Sequence, residues 1–116
     1  MSLYMLSGRY TAEGTKGLLR DGGSKRRAVV QKLVEQAGGK LHATYYALGE
    51  HDIYVIAEIP DQTTAIALSL AVNASGAVQL KTTVLLTPEE IDAATKKPVN
   101  YRAPGVPRGA GLGGAI

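Results

Sequence analysis

Apolar and polar residues alternate along several stretches of this chain and recur at helical spacing along others. Leu3–Tyr10 puts Met5, Ser7 and Arg9 on one side and Tyr4, Leu6, Gly8 and Tyr10 on the other, which predicts a first strand. Thr11–Gly14 breaks it, and Thr15–Arg20 reads as a short helical turn ended by Asp21-Gly22-Gly23. Ser24 then caps a helix over Lys25–Ala37, where Val29, Val30, Leu33, Val34 and Ala37 fit a 3.6-residue period and Gly38-Gly39 supplies the stop. Leu41–Leu48 and Ile53–Ile59 read as two strands joined by a tight turn at Gly49–Asp52. Pro60-Asp61 ends the third strand and caps a second helix, Gln62–Ser75, which is apolar nearly all round and should be buried on more than one side. Gly76 closes it, and Ala77–Leu86 forms a fourth strand with Val78, Leu80, Thr82, Val84 and Leu86 facing one way. Thr87-Pro88-Glu89-Glu90 starts a last short helix to about Lys96.

The resulting order, β-α-β-β-α-β plus a terminal helix, is the split βαβ or ferredoxin-like arrangement, an α+β fold with four antiparallel strands and two helices on one face. The third strand decides what lies on the other face. Ile53, Val55, Ala57 and Ile59 point one way, but Tyr54 and Ile56 on the opposite side are apolar too. A sheet with one wet face should be half polar. A second copy of the sheet is the economical cover, which makes a dimeric α/β barrel the expected assembly.

With 116 residues the chain is long enough for one domain with a modest core, built without Trp or Phe. It has no cysteine, which excludes disulfides, thiolate zinc sites and iron–sulfur clusters. No apolar run reaches the roughly 20 residues of a membrane span, and the start MSLYMLSGRY lacks the pattern of a signal peptide, so a cytoplasmic protein is expected. The net charge of +3 is unevenly placed: Lys96, Lys97, Arg102 and Arg108 give residues 96–116 a charge of +4, leaving −1 on residues 1–95. A near-neutral folded part argues against nucleic acid as a partner. The division expected is a domain over 1–97 and a basic tail over 98–116, with three Pro and five Gly. Such a tail holds a shape only when tied down, so it is expected to lie across a neighbouring subunit, in an assembly that can exceed a dimer.

Several short motifs add up to a resemblance. Gly49-Glu50-His51-Asp52 is similar to the turn signature of the GYD domain family, in which Gly is followed by one residue and then Tyr-Asp, with His51 in place of the Tyr. Gly38-Gly39-Lys40, Glu58-Ile59-Pro60-Asp61, Gly76, Thr82-Thr83 and Thr87-Pro88-Glu89-Glu90 match in kind and order over roughly residues 3–95. The resemblance implies a ferredoxin-like dimeric barrel and assigns no chemistry.

Candidate chemistry is sparse. His51-Asp52 pairs an imidazole with a carboxylate that can set its tautomer; the plainer reading has Asp52 accepting backbone N–H bonds in the turn. His42 and Tyr46 are expected on one strand face, with Arg9 and Glu58 approaching across the sheet, so that Arg9, His42, Tyr46 and Glu58 form a polar pocket for a small anion or aromatic acid. The plainer alternative is a mutually satisfied polar cluster. Two histidines without a third ligand make no metal site, and no cofactor is expected. No G-x-S-x-G elbow occurs. Gly22-Gly23-Ser24-Lys25-Arg26-Arg27 lacks phosphate-loop spacing and reads as a solvated first turn, and Gly109–Gly114 has no strand before it to make a dinucleotide loop.

Three readings follow. The first is a homo-oligomer with a small-molecule-binding or structural role. The second is a dimeric-barrel enzyme, monooxygenase- or isomerase-like, acting on a small aromatic or anionic substrate. The third, an RNA-binding module, would stack bases on Tyr10 and Tyr54 and is disfavoured by the charge distribution.

Overall fold

A computed structural model of the chain describes residues 1–105, so the tail expected over 98–116 lies outside the described residues from 106 onward. The elements run β1 (Ser2–Tyr10), α1 (Ala12–Asp21), α2 (Gly23–Gln36), β2 (Lys40–Tyr46), β3 (Ile53–Ile59), α3 (Gln62–Ala74), β4 (Val78–Leu85) and α4 (Pro88–Thr95). The described residues divide into two units at the boundary between Leu85 and Leu86. The first holds a four-stranded antiparallel sheet in the order β2-β3-β1-β4, the ferredoxin-like topology of an α+β protein. Within the second, α4 opens on a complete capping box: Thr87 accepts from the Glu90 amide, and Glu90 accepts from the Thr87 amide.

β3 carries the alternation on which the core is built. Ile53, Val55, Ala57 and Ile59 are buried while Tyr54, Ile56 and Glu58 between them are only half-buried. Register carries this parity across the sheet: Tyr4 lies opposite Ala57, Leu6 opposite Val55 and Gly8 opposite Ile53. Val34 of α2 and Ala65 and Leu68 of α3 complete the cluster, so both helices cover this one face. α2 packs on β2, and α3 on β4 and β3, with no extended contact between the two helices.

Three expectations are corrected. The first crossover holds two helices, since residues 12–21 form a full helix rather than a short turn. Thr11 caps it by accepting from the Gly14 amide, and its hydroxyl also donates to the Gly76 carbonyl. α2 begins one residue ahead of Ser24, with Gly22 at φ 80° as its cap and no side-chain capping bond. α3 is not buried on two sides: Ala65 and Leu68 face the core, but Ile66 and Leu70 are exposed at 52% and 66%. Its apolar outer stripe therefore has no cover from the chain itself among the described residues.

Glycine matters most where α1 meets the α3–β4 connection. A Cβ on Gly14 would stand 2.0 Å from the Ala77 carbonyl oxygen, whereas on Gly17 it would meet only the end of Arg20, 3.9 Å away. Gly14→Ala should therefore force the two segments apart and cost about 1–3 kcal/mol or more. Gly17→Ala, in the same helix, should stabilise by about 0.5–1 kcal/mol. Urea denaturation of both variants checks the contrast, and equal effects would contradict the close approach.

Candidate functional site

The helix-free face of the sheet presents Leu3, Met5, Ser7 and Arg9 from β1, and Tyr54, Ile56 and Glu58 from β3. β4 adds Gln79, Lys81, Thr83 and Leu85. Met5 lies opposite Ile56, and Leu3 lies between Glu58 and Leu85, so the middle of this face is apolar. Its charges gather at the two ends.

One end is set by a β-bulge. The β2–β3 register passes from Leu41 opposite Ala57 to Ala43 opposite Ile56, leaving His42 as the extra residue. His42 keeps the parity of Lys40, the partner of Glu58, on the helix-free face, where its Nε2 lies 2.6 Å from Glu58 Oε2. Both side chains remain partly exposed. The Glu58 carboxyl is held below its ordinary value, chiefly by the hydrogen bond from His42. Partial desolvation opposes this, and attraction to His42, Lys40 and the N-terminal ammonium adds to it.

The same bulge moves Tyr46 away. Beyond it the parity of β2 is reversed relative to a regular strand, so Thr44 and Tyr46 follow Val55 and Ile53 to the helix face. There the Tyr46 hydroxyl donates to the Gly23 carbonyl at 2.9 Å. Thr44 Oγ1 is buried on that side without a hydrogen-bond partner among the described residues. The expectation that His42 and Tyr46 share a face is thus overturned by one inserted residue.

At the opposite end of the helix-free face, Arg9, Glu50, His51, Gln79, Leu80 and Lys81 line an open recess of about 200 Å³. His51 stands edge-on to Tyr54, with ring centroids 5.8 Å apart, and its Nδ1 lies 3.5 Å from the Tyr54 hydroxyl. Arg9 is six residues along β1 from Leu3, the partner of Glu58, so roughly 20 Å separates this recess from the His42–Glu58 pair. Asp52 goes to neither place. Its Oδ2 accepts from the Tyr10 amide at 2.8 Å, its amide donates to Gly8 O, and its carbonyl accepts from the Ala47 amide. Asp52 therefore clamps the β2–β3 connection to the end of β1. It takes a backbone hydrogen, as the plainer reading held, but from β1 rather than from its own turn.

The six candidate residues are divided among three places: Arg9 with His51, His42 with Glu58, and Tyr46 and Asp52 in structural bonds. Lys81 and Gln79 join Arg9 through their register on β4, which strand alternation could have supplied. Among the described residues, no group of three or more His, Cys, Asp or Glu could hold a metal ion, and no helix is long and apolar enough to cross a membrane.

Comparison with known proteins adds one finding. The family model described as GYD domain matches residues 4–95, from within β1 through the end of α4. No curated protein and no solved structure matches the chain.

Two outcomes follow from this geometry. A carboxylate whose folded pKa is depressed adds stability above its unfolded pKa and loses it as pH falls through the lower folded value. Urea midpoints stepped downward in pH through the carboxylate range should therefore fall further for the wild type than for Glu58→Gln; parallel curves would show that the pair adds nothing. Asp52→Ala removes the acceptor of a partly buried, charge-assisted bond to the Tyr10 amide. It should cost about 1–3 kcal/mol, with hydrogen exchange at Tyr10 accelerated.

Proposed function

The chain belongs to the GYD domain family, and we propose that it acts as a homo-oligomeric domain that binds a small molecule. Two copies meet through the helix-free faces of their sheets, closing a dimeric α/β barrel. The observation that carries this reading is the apolar middle of that face. Met5 and Ile56 sit side by side at its centre, flanked by Leu3, Leu85 and Tyr54. An antiparallel sheet that turns this side to water would carry polar residues at those positions. A contiguous apolar patch with a charged rim is the composition of a protein interface.

A second copy presents the same apolar middle, so a two-fold contact sets Met5 and Ile56 of one sheet against those of its mate. The exposed stripe of Ile66 and Leu70 on α3 offers a second apolar surface, through which an assembly can grow beyond two copies. The enzymatic reading, which needs Arg9, His42 and Tyr46 in one pocket, loses its geometric basis, since the bulge turns Tyr46 to the helix face and about 20 Å of strand separates Arg9 from His42.

Light scattering on the full chain after size exclusion tests the proposal. A dimer or larger species is expected. Ile56→Lys places an unpaired ammonium at the middle of each face, a cost of several kcal/mol, and should raise the dissociation constant by a hundredfold or more. A wild-type chain that stays monomeric up to its solubility limit would refute the reading.

A further inference from the structure

The two helices on the buried side leave a space between them that the core does not fill. α2 rests on β2 and α3 on β3 and β4, without extended contact between the helices. The slot they leave has a volume of about 120 Å³, and Leu6, Val30, Val72 and Leu80 are among its apolar walls. Among the described residues only two polar side chains line it, Tyr10 and Arg26. A dry cavity of about 150 Å³ lined by aliphatic and aromatic side chains takes up benzene; this slot is somewhat smaller, which limits it to a single ring or a short branched chain at most.

We propose that this slot binds a small monocarboxylic acid, its ring or branched hydrocarbon body between α2 and α3 and its carboxylate between the Arg26 guanidinium and the Tyr10 hydroxyl. The proposal rests on the small-molecule part of the reading above and not on self-association. Arg26 lies in the first turn of α2, at the positive end of a 14-residue helix whose cap contributes no side-chain bond. Its acidic neighbour, Asp21, is 4.0 Å away with about a third of each side chain exposed, a loose pair that leaves guanidinium donors for a ligand. Tyr10 is the second polar group at this end. Its ring is half-buried at the end of β1, and since the Tyr46 hydroxyl donates to Gly23, the Tyr10 hydroxyl donates to the Tyr46 oxygen, a bond it exchanges for one to the ligand. Burial, followed by the neighbouring Tyr46, raises the Tyr10 pKa, so its hydroxyl keeps its proton at neutral pH.

The polar end also decides which ligands are refused. An ammonium on the same hydrocarbon body would meet the Arg26 charge, and a neutral alcohol would forgo it. A nucleotide is too large for the volume. The mouth lies where Val29 and Leu33 are part-exposed along α2, so a small acid can enter without the helices separating.

Methyl and amide NMR of the full chain, titrated with benzoate and in parallel with benzylamine, tests the site. Benzoate should give saturable shifts centred on Val30, Val72 and Leu80, and benzylamine should not. Arg26→Gln should weaken benzoate binding about ten- to a hundredfold, the cost of a lost charged hydrogen bond, and Tyr10→Phe by a smaller factor. Asp21→Asn should leave binding equal or tighter. Val30→Phe should plug the slot; should that variant not fold, Arg26→Gln, at a part-exposed position, still decides the matter. The proposal is overturned by benzoate shifts confined to the Arg9–Lys81 recess, by no saturable shifts, or by unchanged affinity in Arg26→Gln. Light scattering on the same samples reports self-association separately, so the failure of either claim can be told from the failure of the other.

Discussion

Strand parity on β1 and β3 is the constraint from which the rest of the molecule follows. These are the two inner strands of the sheet, and each residue on them is committed to one face by its odd or even place. On β3 the commitment is complete: Ile59 and Ala57 are fully buried and Ile53 and Val55 nearly so. A one-residue slip would turn this whole set outward and bring Tyr54, Ile56 and Glu58 into the core, with a charge among them. Burial at roughly 25 cal/mol per Å² makes such a slip unaffordable. The register is therefore stiff, and the positions of Arg9, Met5, Tyr10 and Leu6 along β1 are fixed with it.

What the sequence made legible tracks this constraint closely. β1, β3 and β4 run without a register shift, and their faces are as odd and even places predict. α3 and α4 announce themselves through Asp61 and the Thr87–Glu90 capping box, which are local and chemical. α1 was harder to see because Gly14 and Gly17 interrupt its apolar spacing. Gly14 is there for a reason outside the helix, the carbonyl of Ala77, which no local pattern encodes. The β2 bulge was invisible for a deeper reason. An extra residue leaves no compositional mark, yet it changes the parity of everything beyond it. It carried Tyr46 to the helix face, while His42 kept its place on the other. A site inferred from alternation alone was bound to misplace one of the two.

The same lesson applies to Asp52. A Gly-x-His-Asp turn invites a chemical reading because an imidazole adjoins a carboxylate. The structure turns the two side chains to different tasks: Asp52 reaches back to the Tyr10 amide, and His51 packs against Tyr54. The signature turn therefore serves first as a joint between the β2–β3 connection and the end of β1. Because Tyr10 follows directly from that joint, the clamp also sets where the phenol of Tyr10 stands between the sheet and α2.

β1 thus serves two surfaces with alternate residues. Leu6 and Tyr10 border the slot beneath the helices, while Met5 and Arg9 belong to the face that we assign to self-association. The strand is a single hydrogen-bonded rod held on both sides, by β3 and by β4. Covering the helix-free face would remove water from one side of that rod without touching the other. The slot can then remain open in any assembly built on that face, since its mouth lies along α2 on the far side of the sheet. A ligand enclosed within the barrel would instead have to compete with Met5 and Ile56 for the same space. Side-chain parity, more than any single residue, is what would let so short a chain keep the proposed interface and the proposed binding site apart.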